Sequence, residues 1–126
     1  MEPKIVISEK APKAIGPYSV GVVAGNLIFT AGQIGIDRAI GDIVDGGIQA
    51  QTRQALTNIT YILADAGTSI DKVIKTTVFL KDMNDFAAMN EVYATFFTSN
   101  PPARSAVQVA KLPKDAMVEI EVIAAL

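Results

Sequence analysis

The sequence predicts an α+β protein, ordered β-β-β-α-β-α-β-β, with two helices on one face of a mixed sheet. Three observations carry that prediction. Short apolar runs rich in β-branched residues open and close the chain, and two intervening stretches switch to helical spacing. The length of 126 residues, with 50% hydrophobic content, suits one domain spanning 1–126.

Lys4 to Ser8 reads as a short first strand. Tyr18 to Val23 and Leu27 to Ala31 are apolar runs separated by Ala24-Gly25-Asn26, a hairpin signal. The polar, Gly-rich segment from Asp37 to Gly47 reads as a loop. Ile48, Ala55, Ile59, Ile62, Leu63 and Ala66 then recur at helical spacing, with Asp45 placed to cap the start and Gly67 to stop the end. Val73 to Leu80 is β-branched and reads as a strand. A second helix carries Phe86, Met89, Tyr93, Phe96 and Phe97 on one stripe and should end at Pro101-Pro102. Arg104 to Lys111 and Met117 to Ala124 complete the strands, joined by L-P-K-D-A.

Two helices cover one sheet face, yet L-I-F-T-A and V-I-A-A-L are apolar at consecutive positions, a pattern of strands buried on both sides. A second copy of the chain is the expected cover, and small-molecule sites favour such junctions. The uncharged run from Ala14 to Ile36 is broken by Gly, Pro, Asn and Gln, so no membrane span is expected. The absence of Cys and His excludes thiolate chemistry, Ser-His-Asp triads and the usual zinc sites. A net charge of −2 argues against a nucleic-acid footprint. The amino terminus lacks a signal-peptide layout, so a cytoplasmic location is expected.

Few residues are left for chemistry. Arg104 is one of three arginines, at the start of an apolar strand, and no other charged residue lies between Glu91 and Lys111. Its planar fork suits a ligand carboxylate, or a bridge to Glu119 or Glu121. Those two glutamates share a strand face opposite Val118, Ile120 and Val122, either as a solvated face or as one shielded carboxylate able to act as a base. Tyr18 follows a Gly-Pro turn and either lines a pocket or packs. Gly32 and Gly35 flank a strand end and allow close backbone approach. Asp37, Asp42 and Asp45 match no calcium-loop spacing.

Together A-I-G-P-Y-S at 14–19, A-G-Q-I-G at 31–35, Q-T-R-Q-A-L at 51–56, K-T-T-V-F-L-K-D-M-N-D-F-A at 75–87, P-A-R-S at 102–105 and L-P-K-D-A-M-V-E-I-E-V-I-A at 112–124 resemble the Rid (reactive intermediate deaminase, YjgF) family. The resemblance implies a chorismate-mutase-like fold, a homotrimer and ligand clefts between subunits. It implies hydrolysis of 2-aminoacrylate, 2-iminopropanoate and 2-iminobutanoate to 2-keto acids and ammonia, without a cofactor or metal. The substrates would come from pyridoxal-phosphate (PLP)-dependent dehydratases. By the same resemblance Arg104 grips the substrate carboxylate and Glu119 positions the attacking water. Tyr18, Gly32 and Asn90 belong to the cleft. Ala31 and Ala106 depart from the Ser and the Cys or Thr of relatives, which bears on substrate preference and rate. Two other functions are compatible with the pattern: a carboxylate-binding trimer without turnover, and the translation-inhibitor ribonuclease role attached to some members.

Overall fold

In the computed structural model, which describes residues 2–126, two helices pack on one face of a six-stranded sheet. The strands are β1 (Lys4–Val6), β2 (Gly21–Ala24), β3 (Leu27–Thr30), β6 (Val73–Leu80), β7 (Ala103–Gln108) and β8 (Val118–Ala125), and they lie in the order β1-β2-β3-β8-β6-β7. The sheet is mixed: β6 and β7 run parallel, and the other neighbours are antiparallel. This is the predicted α+β arrangement, with one addition. The segment predicted as a loop contains a two-stranded ribbon, β4 (Ile36–Asp37) and β5 (Asp42–Ile43). Each strand is two residues long, too short to leave a period in the sequence.

Helix α1 (Gly47–Asp65) buries Thr52, Ala55, Leu56, Ile59, Ile62 and Leu63, the stripe that helical geometry places on one side. Its start differs from the prediction: Gly46 occupies the cap position in a left-handed conformation (φ 114°), and no side chain caps the helix. Asp45 lies one residue too early. The predicted stop holds, since Gly67 adopts φ 85° and donates to Ala64 O at 3.0 Å. Helix α2 (Phe86–Phe96) buries Met89, Val92 and Tyr93, and ends before Pro101-Pro102. The first hairpin is as expected, with Gly25 at φ 62° in its turn, although β2 begins only at Gly21 and leaves Tyr18 in irregular chain.

The core lies between the helices and the near face of the sheet, where Ile28, Val78, Leu80, Val118, Ile120 and Ala124 are fully buried. Burial along β8 alternates: Val118, Ile120, Val122 and Ala124 point inward, and Glu119, Glu121, Ile123 and Ala125 point away. The far face is apolar as well as charged. Phe29 on that face is 43% exposed, so no part of the described chain covers it fully.

Polar groups of α1 tie the irregular segments to this frame. The fully buried Asn58 donates to Ile36 O at 2.8 Å and Ile34 O at 3.3 Å, and accepts from Gln54 Nε2 at 2.9 Å. Gln51 Oε1 accepts from Met117 N at 2.9 Å, just ahead of β8. Gly35 lies so close to α1 that a Cβ would fall 2.7 Å from Gln51 Cα. An Asn58→Leu substitution keeps the volume and removes the donors to both carbonyls. It is expected to cost about 2–4 kcal/mol, since each buried polar group left unpaired costs roughly 1–3 kcal/mol. Urea unfolding with an unchanged slope measures it.

Candidate functional site

The strand pleat divides the sequence-predicted residues into two groups. Glu119 pairs with Phe79 across β6 and β8, on the face away from the helices. Arg104 pairs with Thr76 across β6 and β7, and Thr76 points toward the helices, where its hydroxyl meets Tyr93 Oη at 2.7 Å. Arg104 and Glu119 therefore lie on opposite faces of one sheet. The bridge from Arg104 to Glu119 or Glu121 considered from sequence does not form.

Arg104 is held instead by α2. Its Nη1 donates to Asn90 Oδ1 at 2.7 Å, and its guanidinium carbon lies 4.7 Å from the Tyr93 ring centre and 5.2 Å from that of Phe86. Phe86, Asn90 and Tyr93 follow the spacing i, i+4, i+7, so one helix face presents all three. Among the described residues no carboxylate lies within ion-pair distance of Arg104, which is half-buried. Burial pushes the Tyr93 phenol above its ordinary pKa, opposed by the Thr76 hydrogen bond and the Arg104 charge. The residues themselves point to Arg104 and the family resemblance to Asn90, whereas Phe86 and Tyr93 read only as core. The helical spacing that placed them in the core stripe also placed them beside Asn90.

The second group surrounds a cavity of about 800 Å³ on the other side. Tyr18, Gly32 and Glu119 share its wall with Lys13, Arg38 and Lys114. Backbone bonds fix the glycine turn: Ala31 N donates to Val20 O at 2.8 Å, and Gln33 N and O pair with Ile120 O and N at 2.8 and 3.0 Å. The Gly32 N–H has no protein partner among the described residues, which leaves a free donor beside the carboxylate. A Cβ at Gly32 would meet the Glu119 carboxyl, so a larger residue there would push that side chain aside. Burial raises the Glu119 carboxyl above its ordinary pKa, and the like charge of Glu121 adds to the rise. Ala31 lines the same cavity, whereas Ala106 packs toward the core.

No convergent group of three or more His, Cys, Asp or Glu side chains occurs among the described residues. The three aspartates of the 37–45 segment are engaged separately or exposed: Asp37 accepts from Ala39 N at 2.9 Å and Asp42 from Ile43 N at 2.8 Å. Among the described residues no helix is long and apolar enough to cross a membrane.

An α+β sheet with a carboxylate cavity on one face and an aromatic-framed arginine on the other defines the class, and comparison with known proteins supplies the family. The chain belongs to the endoribonuclease L-PSP (YjgF/Rid) family, whose model matches residues 8–126. It is 59% identical over 121 residues to a RutC family protein of Pyrococcus horikoshii, covering 96% of each chain. It is 51% identical over 121 residues to the 2-iminobutanoate/2-iminopropanoate deaminase of Bos taurus, covering 96% of this chain and 88% of that one. The crystal structure of Escherichia coli TdcF with bound serine superposes with a TM-score of 0.93 at 48% identity, covering 98% of both chains.

The two-carboxylate environment of Glu119 is directly testable. Its raised pKa should place its titration above that of an ordinary glutamate, and Glu121→Gln should move it back toward lower pH by removing the like charge. Carbonyl-detected NMR titration reads both; an unmoved Glu119 would contradict the assignment.

Proposed function

We propose that this protein hydrolyses 2-imino acids, 2-iminopropanoate and 2-iminobutanoate among them, to 2-keto acids and ammonia. One observation carries the reading. Arg104 is a half-buried guanidinium, preset by Asn90, Tyr93 and Phe86, with no protein carboxylate to neutralise it among the described residues. Such a group calls for an anionic ligand, and its fork matches a carboxylate. The likeness to curated deaminases and to a relative that binds serine supports an amino-acid-like substrate.

In this reading the site closes between two copies of the chain. Arg104 of one copy, with Asn90 behind it, binds the substrate carboxylate; Tyr18, Gly32 and Glu119 of another hold the imine. The incompletely covered apolar face supports such assembly, as a homotrimer by resemblance to the family. Water adds through its oxygen to the C=N carbon, the π pair moves to nitrogen, and Glu119 takes one water proton and passes it to that nitrogen, giving the carbinolamine. Glu119 then relays the hydroxyl proton to the nitrogen, the C–N bond breaks with its electron pair leaving on ammonia, and the C=O of the keto acid forms. A carboxyl with a raised pKa suits both transfers. The free Gly32 N–H supplies a donor to the developing charge. PLP-dependent dehydratases, whose released enamines tautomerise to such imines, are the proposed suppliers, in the cytoplasm.

A carboxylate-binding protein without turnover would also keep Arg104 but has no use for a shielded Glu119. The ribonuclease named in the family description finds little support in an acidic chain without histidine. The deciding assay feeds serine or threonine through a dehydratase, traps the imine with semicarbazide, and adds this protein. Semicarbazone should fall as protein rises. Arg104→Ala should lower kcat/KM about 30- to 1,000-fold, equivalent to roughly 2–4 kcal/mol for a lost charged pair. Glu119→Gln should lower kcat by about 100-fold or more. Unchanged trapping by the wild type contradicts the reading.

A further inference from the structure

The wall of the cavity beside Glu119 carries more cationic than acidic side chains, in a chain whose net charge is −2. Its lining carries three cations, Lys13, Arg38 and Lys114, against one carboxylate, Glu119. Two of these cations are set in place by the fold. Arg38 is half-buried at the β4–β5 turn, and its Nη1 donates to Ser8 O and Ala11 O at 3.0 Å each. Those bonds fix the guanidinium to the wall segment that continues into Lys13. Among the described residues no carboxylate lies within ion-pair distance of Arg38.

Lys114 follows Pro113 in a tight turn and has φ 55°, a left-handed conformation uncommon for a residue with a long side chain. Asp115 after it shares φ 55°. Strain of this kind persists where the surrounding structure over-determines it, and it gathers at binding sites. The acid nearest Lys114 is Asp42, at 3.5 Å, in a pair exposed to solvent on both sides and therefore weak. The reaction described above uses none of these three cations.

We propose that Arg38, Lys13 and Lys114 form a second anion subsite, selecting 2-imino acids whose side chain ends in a carboxylate. This rests on the deaminase reading and adds its substrate class. The α-carboxylate goes to Arg104 of one copy, and the distal carboxylate reaches the cationic wall of the other. A neutral isostere fills the same space and leaves the cations without a counter-charge, which is the source of discrimination.

The test compares the imines of glutamate and glutamine, which differ by carboxylate against amide. A broad-specificity amino-acid oxidase with catalase generates them in the semicarbazide competition, and the alanine-derived imine serves as reference. The wild type should favour the glutamate-derived imine in kcat/KM by about tenfold or more. In Arg38→Gln the ratio should approach one. Because that variant also loosens the wall, Lys13→Gln/Lys114→Gln, altered only at exposed positions, supplies the independent check and should lower the ratio at least severalfold. A wild-type ratio near or below one, with the alanine-derived imine still hydrolysed, overturns this subsite alone. So does a ratio unchanged in the double variant. Failure to hydrolyse any of the three imines overturns the deaminase reading with it.

Discussion

The alternation of side chains along a β-strand determines from which face of the sheet the two central candidate groups, Arg104 and Glu119, can act. In β8 the inward residues Val118, Ile120, Val122 and Ala124 are sealed against the helices, so Glu119 and Glu121 must face the other way. A shift of register by one residue would bury both carboxylates and expose four core side chains, so hydrophobic burial fixes the position of the proposed base. In β7 the same rule turns Arg104 toward α2. Because β7 is an edge strand, its arginine remains accessible while packed against Phe86 and Tyr93. The sheet thus separates Arg104 from the Glu119 cavity, and in the proposed reaction each copy of the chain supplies half of a site.

Arg104 and Glu119 are each held by their surroundings within the single chain. The guanidinium is fixed by an amide and two aromatic faces, none of which neutralises it. A lysine would reproduce the charge but neither the flat stacking on Tyr93 nor the fork, so Arg and Lys are not interchangeable here. Around Glu119 the constraint is steric and electrostatic together. A glycine without a Cβ lets the carboxylate settle against the 31–35 turn, and partial burial with Glu121 nearby favours its protonated form. Gln51 and Asn58 on α1 hold both walls, so the helix contributes to the site through its polar residues as well as its apolar stripe.

The α+β order, both helices and the division of β8 into an apolar and an acidic face were legible in the sequence, because periods of two and 3.6 leave strong marks over eight or more residues. The short β4–β5 ribbon and the Gly46 cap were not, since two-residue strands have no period and a left-handed cap depends on backbone rather than side chain. Arg104 stood out by isolation from other charges. Its separation from Glu119 was hidden, because the register between β6, β7 and β8 is a long-range property that neither strand encodes alone. Arg38, Lys13 and Lys114 lie far apart in sequence and converge only where the chain folds around the cavity.

The proposal that two copies combine to make one site can be tested by mixing impaired variants. Arg104→Ala and Glu119→Gln homo-oligomers, each strongly impaired alone, are unfolded together in equal amounts and refolded as mixed assemblies. A site built from Arg104 of one subunit and Glu119 of the next is intact in about one junction in four, given random closed cyclic assembly. Imine hydrolysis should therefore return to about a quarter of the wild-type rate, well above the residual rates of the Arg104→Ala and Glu119→Gln oligomers refolded separately. No recovery, with subunit exchange verified by native mass spectrometry, would contradict the shared site and require both groups to act within one chain.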